Sequence, residues 1–183
     1  MNVVVGLDPS GKLLAFAIMS EYGHVQFRAL PLPPHARDPA AMAYAAMRGA
    51  RRVLRPLVRA GYDVHMFVES PISASRGGVG SMMPQAKVSG AAQAGALDVN
   101  VRTMMQADNK RWKKVIVGNG NASKDMIAAW VEENHPHVFK KADGLQDLLD
   151  AFCIALYGQQ VIERAEQTTE GIDHAQADQE GSG

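Results

Sequence analysis

The sequence predicts an α/β protein in which one mixed sheet begins with three antiparallel strands, continues with parallel strands and is flanked by helices. Three observations lead to this prediction. Apolar, β-branched runs separated by turn residues fill the first 30 positions. Segments with helical and with strand-like spacing then alternate along the chain. The 183 residues are 46% hydrophobic, which is enough for one sizeable core, so we expect one domain.

The first three strands are predicted at residues 2–7, 13–19 and 24–30. The turn sequence DPSG follows the first strand, and EYG separates the second from the third at hairpin spacing. An antiparallel three-stranded meander is the simplest arrangement of such segments.

The rest of the chain alternates between helix and strand patterns. We expect an alanine- and arginine-rich helix, a strand that ends on Glu69, a glycine-rich loop, a helix of small residues, a short strand and two further helices. An apolar run in a basic setting precedes the last two helices, at 113–117. The predicted bounds, in the same order, are 38–60, 63–69, 73–81, 82–97, 98–103, 123–134 and 145–165.

The chain carries 19 basic and 19 acidic residues, but these are separated in sequence. Residues 163–183 contain six acids and one base, so the first 162 residues have 18 bases, 13 acids and a net charge of +5. The segment 166–183 has no apolar spacing, which predicts a disordered polar acidic tail after a folded domain at 1–165. Bases gather at 48–59 and 110–114, and a solvated helix face is the ordinary interpretation of the five arginines in the first group.

Several classes of protein are excluded by what the sequence lacks. No apolar run approaches the roughly 20 residues that span a bilayer. The first residues lack the basic and apolar regions of a secretory signal. We therefore expect a cytoplasmic protein with no membrane partner. The single cysteine, Cys153, lies in an apolar helical pattern and is predicted to be a buried residue rather than a nucleophile.

Two acids follow apolar strands directly, Asp8 in VVGLD and Glu69 in MFVE. In open α/β sheets, functional residues gather in the crevice beyond the carboxyl ends of the strands. We therefore predict that these two acids lie together at one edge of the sheet. Either acid could instead be a turn former or a helix cap.

Asp147 and Asp150 lie three apart in a helical pattern, which puts both carboxylates on one face. Like charges at this spacing cost stability unless a cation lies between them. Alternatively, both acids complement the dipole at the N-terminus of the helix. Converging carboxylates supply the hard oxygen ligands that divalent cations prefer, and a pair of such ions roughly 3.5–4 Å apart promotes phosphodiester hydrolysis. Metal-dependent hydrolysis of a nucleic acid is therefore the predicted chemistry.

Four ordered segments resemble the conserved blocks of the RuvC-type Holliday junction resolvases, in the RNase H-like superfamily. They are VVVGLDPS, MFVESP, KKVIVGNGNASKDMI and DLLDAFCIAL, and the similarity covers residues 2–159. The resemblance implies an RNase H-like fold and a crossover junction endodeoxyribonuclease that makes paired symmetric nicks in four-way DNA junctions as a homodimer. The compact form with a polar tail is more similar to phage-encoded members, whose location would be the host cytoplasm.

The resemblance also implies roles for particular residues. It implies that the carboxylates hold Mg²⁺, or Mn²⁺ as a substitute, as two ions in each active site. Lys113 and Lys124 occupy positions where the family has lysines that contact the scissile strand or help to activate it. Lys124 would lie in the first turn of a helix, where free backbone amides favour phosphate. The metal-binding carboxylates implied in this way are Asp8, Glu69, Asp147 and Asp150.

The chain also departs from the family pattern. The family often carries an aromatic wedge after the glutamate, whereas this chain has Pro71-Ile72-Ser73 and the glycine-rich residues 76–80. The segment 109–112 is somewhat long. Two alternatives therefore stay open: a broader nuclease of the same fold that cuts flaps, forks or RNA–DNA hybrids, and a non-catalytic DNA-binding protein.

Overall fold

The computed structural model describes residues 1–33, 38–71 and 78–180, with backbone alone at 78–82 and 169–180. Its centre is a five-stranded sheet in the order β3-β2-β1-β4-β5. The first three strands are antiparallel neighbours, and β4 and β5 run parallel to β1. The predicted mixed sheet and its opening meander are confirmed. The strands are β1 (Asn2–Pro9), β2 (Leu13–Ser20), β3 (Val25–Pro31), β4 (Asp63–Glu69) and β5 (Thr103–Ala107).

Helices cover both faces of the sheet, and each face has its own apolar core. The first two helices pack on one face, and the other four pack on the opposite face. Within the described ranges, no helix is both long enough and apolar enough to cross a bilayer. The helices are α1 (Pro39–Arg59), α2 (Gly78–Leu97), α3 (Asn109–Ile116), α4 (Lys124–Asn134), α5 (Pro136–Ala142) and α6 (Gln146–Glu180).

The alternation of side chains along the strands decides which residues meet α6. In β1, Val3, Val5 and Leu7 belong to the core beneath α1 and α2, whereas Val4 belongs to the core beneath α6. The same alternation places Asp8 on the α6 face. Because Phe67 also packs in the α6 core, Glu69 lies on that face at the end of β4.

Helix α6 lies directly against the neighbouring strands β1 and β4 because two glycines permit close approach. A Cβ added at Gly6 would lie 2.0 Å from the carbonyl oxygen of Ala151. A Cβ added at Gly158 would lie 2.3 Å from the ring of Phe67. These contacts hold the first turns of α6 above the carboxyl ends of β1 and β4. Cys153 is buried on this helix as predicted, and burial raises the pKa of its thiol.

Three features between α2 and α6 differ from the sequence-based prediction. The short strand expected at 98–103 is instead the turn after α2, and β5 begins only at Thr103. In that turn Asn100 adopts a left-handed backbone, which asparagine tolerates, and Asp98 pairs with arginines of α1. The apolar run 113–117 lies largely in α3, and the sequence analysis did not predict α5.

The last helix continues to Glu180, past the predicted end at 165, through a segment rich in the helix formers Ala, Gln and Glu. The division into a domain at 1–165 and a disordered tail at 166–183 stays a prediction. The glycine-rich loop predicted at 73–81 lies partly outside the described residues, because 72–77 are not described and α2 begins at Gly78.

Candidate active site

The candidate site is at the carboxyl ends of β1, the central strand, and its parallel neighbour β4. Asp8 is the penultimate residue of β1 and Glu69 is the last residue of β4. Both side chains are buried, with 7% and 6% of their surface exposed. A buried carboxylate is costly unless hydrogen bonds or a cation compensate its charge. The surroundings of these two acids therefore decide what the site can do.

The first turns of α6 bring the other two predicted acids to the same place. Asp147 and Asp150 lie one and four residues after the start of this helix. The side chain of Gln146 donates a hydrogen bond from Nε2 to Oδ1 of Asp150 at 2.8 Å. Asp147 lies in the first turn, which also agrees with an acid that complements the helix dipole. Its proximity to Asp8 distinguishes it from an ordinary helix-terminal acid.

The charges of the other three carboxylates act on the pKa of Asp8. Burial raises the pKa of Asp8 well above its ordinary range, and the negative charges of Glu69, Asp150 and Asp147 raise it further. Burial raises the pKa of Asp150 to about 6, although its hydrogen bond from Gln146 acts in the opposite direction. Three separate chain segments thus concentrate negative charge in one partly buried pocket.

Helix α3 holds Glu69 in place. Trp112 donates from its indole Nε1 to Oε1 of Glu69 at 3.2 Å, and the side-chain amide of Asn109 donates to the same oxygen. The two donors are three apart, so they share one face of α3. Asp108 caps this helix by accepting from the backbone N–H of Arg111 at 2.9 Å. The end of β5 leads directly into this cap, which places α3 beside the end of β4.

The sequence analysis did not identify Asn109, Trp112 or Gln146 as site residues. A signal for the first two was present. The segment 109–112, which is somewhat long for the family, contains a tryptophan three residues after an asparagine in an otherwise basic run. Trp112 is fully buried, so its indole N–H needs an acceptor inside the protein. Gln146 gave no comparable signal.

The two predicted lysines lie at the margin of the carboxylates. Nζ of Lys124 is 3.9 Å from Oδ1 of Asp147, and 69% of the lysine side chain is exposed. Lys124 is the first residue of α4, after the cap Ser123, so it lies in the first turn of a helix as predicted. Nζ of Lys113 lies 5.4 Å from the centre of the Trp112 ring. Both lysines lower the pKa of Asp150, so both face the same pocket.

The donor set fits a hard divalent cation in its chemistry, since it consists of carboxylate oxygens that repel one another. Of the residues that the structure describes, no three His, Cys, Asp or Glu side chains form a ready-made metal site. The carboxylates are therefore neighbours that would have to converge further to share an ion.

Comparisons with known proteins agree on the fold. No protein-family model and no curated protein sequence matches the chain. Among solved structures, the chain is similar to Thermus thermophilus RuvC, with a TM-score of 0.62, 21% identity and coverage of 84% of this chain and 91% of RuvC. The complex of T. thermophilus RuvC with a Holliday junction substrate gives a TM-score of 0.60 at 21% identity, covering 85% and 92%.

The yeast mitochondrial Holliday junction resolvase Ydc2 is also similar, with a TM-score of 0.50, 12% identity and coverage of 84% of this chain and 76% of Ydc2. These similarities extend over 84% or 85% of this chain. They agree with the four sequence blocks, which had predicted the same fold. The chain therefore has the mixed-sheet RNase H-like fold of the RuvC-type resolvases.

Proposed function

We propose that this protein is a metal-dependent, structure-selective DNA endonuclease that resolves four-way junctions by paired symmetric nicks. The observation that carries the proposal is the meeting of Asp8 and Glu69 with two acids of α6. Each of the three other carboxylates raises the pKa of Asp8. The similarity to a RuvC structure that contains a Holliday junction substrate supports branched DNA as the ligand.

The chemistry of the donor set supports Mg²⁺, or Mn²⁺ as a substitute, as the cofactor. Bound divalent ions would lower the pKa of a nucleophilic water and stabilise the charge that develops on the leaving oxygen. Asp8, Glu69, Asp147 and Asp150 would hold these ions. The protein's own contribution is to orient the carboxylates: Asn109 and Trp112 hold Glu69, and Gln146 holds Asp150.

The lysines supply the positive charge that a DNA strand meets at the edge of this acidic pocket. Lys124 combines its ammonium with the free backbone N–H groups at the start of α4, an arrangement that favours a phosphate. Lys113 contributes a second cation, on α3, with its Nζ 5.4 Å from the centre of the Trp112 ring. We assign both lysines to contacts with the scissile strand.

Asp147→Asn tests the catalytic proposal because it keeps the shape of the side chain and removes one negative charge. We expect junction cutting in Mg²⁺ to fall by orders of magnitude, whereas junction affinity without metal is retained or increases. Asp143→Asn is the matched control: Asp143 is exposed, lies four residues earlier and has a left-handed backbone that asparagine accepts. Cutting by Asp147→Asn at the parent rate would show that the carboxylate site is wrong.

Lys113→Ala separates binding from chemistry. If Lys113 contacts phosphate, its loss weakens binding to all DNA shapes and lowers the magnitude of the salt slope by about one. The two variants have different signatures, since Asp147→Asn changes cutting without weakening binding. A Lys113→Ala protein with unchanged affinity and salt slope would remove this lysine from the DNA contacts.

Substrate choice distinguishes the two nuclease alternatives. Matched four-way junctions, forks, flaps and RNA–DNA hybrids should be cut in parallel, and we expect the four-way junction to be preferred. Equal rates on all substrates would instead support the broader nuclease. No metal-dependent cutting of any of them would support the non-catalytic DNA-binding protein.

We also propose a homodimer, because symmetric incision of a four-way junction needs two sites related by a twofold axis. Helices α1 and α2 carry many small residues, and α2 leaves the large apolar side chains of Met83 and Leu97 exposed. Sedimentation of the protein bound to a junction measures the stoichiometry directly. A bound species with only one 19.7 kDa chain would contradict the dimer.

A further inference from the structure

A basic groove lies on the opposite face of the sheet from the carboxylates. It has a volume of about 910 Å³ and runs between α1 and the edge strand β3. Its apolar floor includes Leu30, Pro31 and Pro56, and no acidic residue lines it. The five arginines of α1 form its wall: Arg48, Arg51, Arg52, Arg55 and Arg59. We call this feature the arginine groove.

The arginines form a continuous stripe. Positions 48, 52, 55 and 59 are separated by four, three and four residues, so they lie on one face of the helix, and all four are exposed. The stripe spans a rise of roughly 16 Å along the helix axis. That length equals the axial rise of roughly five nucleotides of one strand of duplex DNA.

The stripe is poorly compensated within the protein. Helix α1 contains no acidic residue, so its like charges three and four apart oppose helix formation. Asp98 pairs with Arg51 at 2.9 Å and with Arg55 at 3.5 Å. For Arg48, Arg52 and Arg59, no carboxylate of the described residues is within 4.0 Å. A solvated face would tolerate lysine and mixed charge equally well, whereas this stripe is entirely arginine.

Arginine matches one kind of ligand in particular. Its guanidinium is planar, always charged and suited to bidentate hydrogen bonds with phosphate oxygens. Arg48 lies over the ring of Tyr44 at 5.7 Å from its centre, which supports the guanidinium on the wall of the groove. Arg51 has a buried Nε without a hydrogen-bond acceptor among the described residues.

We propose that the arginine groove is a second DNA-binding surface, which holds the phosphodiester backbone of a duplex arm away from the cleaved bond. An arm that leaves the carboxylate pocket would reach this surface by passing around the edge strand β3. The groove would then increase affinity for DNA with long arms without taking part in the hydrolysis. This proposal rests on the proposed function only in requiring that the protein binds DNA.

The double variant Arg52→Gln/Arg59→Gln tests it, because glutamine is a good helix former and removes both charges. Without divalent metal, we expect affinity for long-armed junctions to fall roughly ten- to hundredfold near 0.1 M salt, and the salt slope to fall by about two. Affinity for junctions with arms too short to pass β3 should change less than twofold. The charge-matched control is Lys140→Gln/Arg164→Gln, at two exposed positions outside the groove.

Folding is checked separately by thermal unfolding. The groove variant should unfold at the same temperature as the parent or higher, because it relieves repulsion between arginines. Arg52→Lys/Arg59→Lys keeps the charge and should retain most of the binding, which ties the loss to charge rather than to helix damage. Unchanged affinity and salt slope in the glutamine variant, or an equal loss in the control, would overturn the proposal. Neither result depends on cleavage, so failure of the carboxylate site is recognised independently.

Discussion

Replacing Gly6 with alanine should disturb the candidate active site from a distance. The added methyl group would lie 2.0 Å from the oxygen of Ala151 and 2.6 Å from the nitrogen of Ala155, both of which are backbone atoms of α6. Ordinary contact begins at 3.4 Å, so the helix must move by the difference, 1.4 Å, or the strand must yield by the same amount. Flexible side chains cannot absorb this change.

The expected cost has a stability part and an activity part. Overpacking of a core costs about 1–3 kcal/mol, and the backbone contact places Gly6→Ala near the upper value. At about 2–4 °C per kcal/mol for a chain of this length, the melting temperature should fall by roughly 6–12 °C. Because Asp150 is adjacent to Ala151, a shift of this size misplaces a carboxylate by about 1 Å, which can cost on the order of a hundredfold in rate.

Two other glycines provide matched controls. Gly95→Ala meets the carbonyl oxygen of Met47 at 2.4 Å, but on the α1–α2 face, so it should lower stability without a comparable loss of cutting per folded molecule. Gly90 is exposed in α2 with nothing within 4 Å of an added Cβ, so Gly90→Ala should stabilise by about 0.5–1 kcal/mol. Thermal unfolding and single-turnover cutting measure both effects. An unchanged melting temperature in Gly6→Ala refutes the packing argument, and full activity with lowered stability refutes its coupling to the site.

Three further predictions concern other parts of the molecule. Trp112→Phe keeps a buried ring but removes the indole N–H that donates to Glu69. It should lower the free energy of unfolding by about 1.5–3 kcal/mol and slow cutting. Trp130→Phe is the control in the same assays. Burial lowers the pKa of His65, and neither of its ring nitrogens has a hydrogen-bond partner among the described residues. The imidazole of His65 therefore binds a proton more readily in the unfolded chain, so the free energy of unfolding should fall as pH drops below about 6.5. The fall should be less steep in His65→Phe. Denaturant titrations at several pH values measure both. Removal of residues 166–183 should leave metal-dependent cutting intact and increase DNA affinity by eliminating five acids; loss of soluble protein on truncation would contradict it.

The sequence predicted the mixed sheet and the places of Asp8 and Glu69 at the ends of its strands, because both depend on local patterns. The metal-binding role of the four acids stays a prediction. Apolar strands that end in an acid specify Asp8 and Glu69, and helical spacing specifies Asp147 and Asp150. The strand expected at 98–103 was wrong because a β-like composition does not reveal the left-handed turn at Asn100. Element boundaries of this kind depend on tertiary contacts, here the pairing of Asp98 with α1.

The contacts that orient the carboxylates could not be read from spacing. Asn109 and Trp112 reach Glu69 across 40 and 43 residues, and only the position of β5 beside β4 brings α3 to that carboxylate. The function of Gly6 is equally non-local, since a glycine inside a strand indicates close approach of some backbone but not which one. Sequence patterns therefore predict which acids lie near one another, whereas the side chains that orient them are visible only in the structure.

The acids lie on the α6 face of the sheet, and the arginines of α1 lie on the opposite face. If both proposals hold, the carboxylate pocket would repel DNA until cations occupy it, so affinity without metal would come from basic side chains elsewhere. Lys113 and Lys124 lie beside the acids and are partly neutralised by them. The arginine groove lies on the opposite face of the sheet. At 0.1 M salt, charges of the groove that are more than roughly 10 Å from the acids are largely screened from them. If both proposals hold, removal of metal should abolish cutting while binding through the groove persists, and high salt should release long-armed DNA before it affects the geometry of the acids.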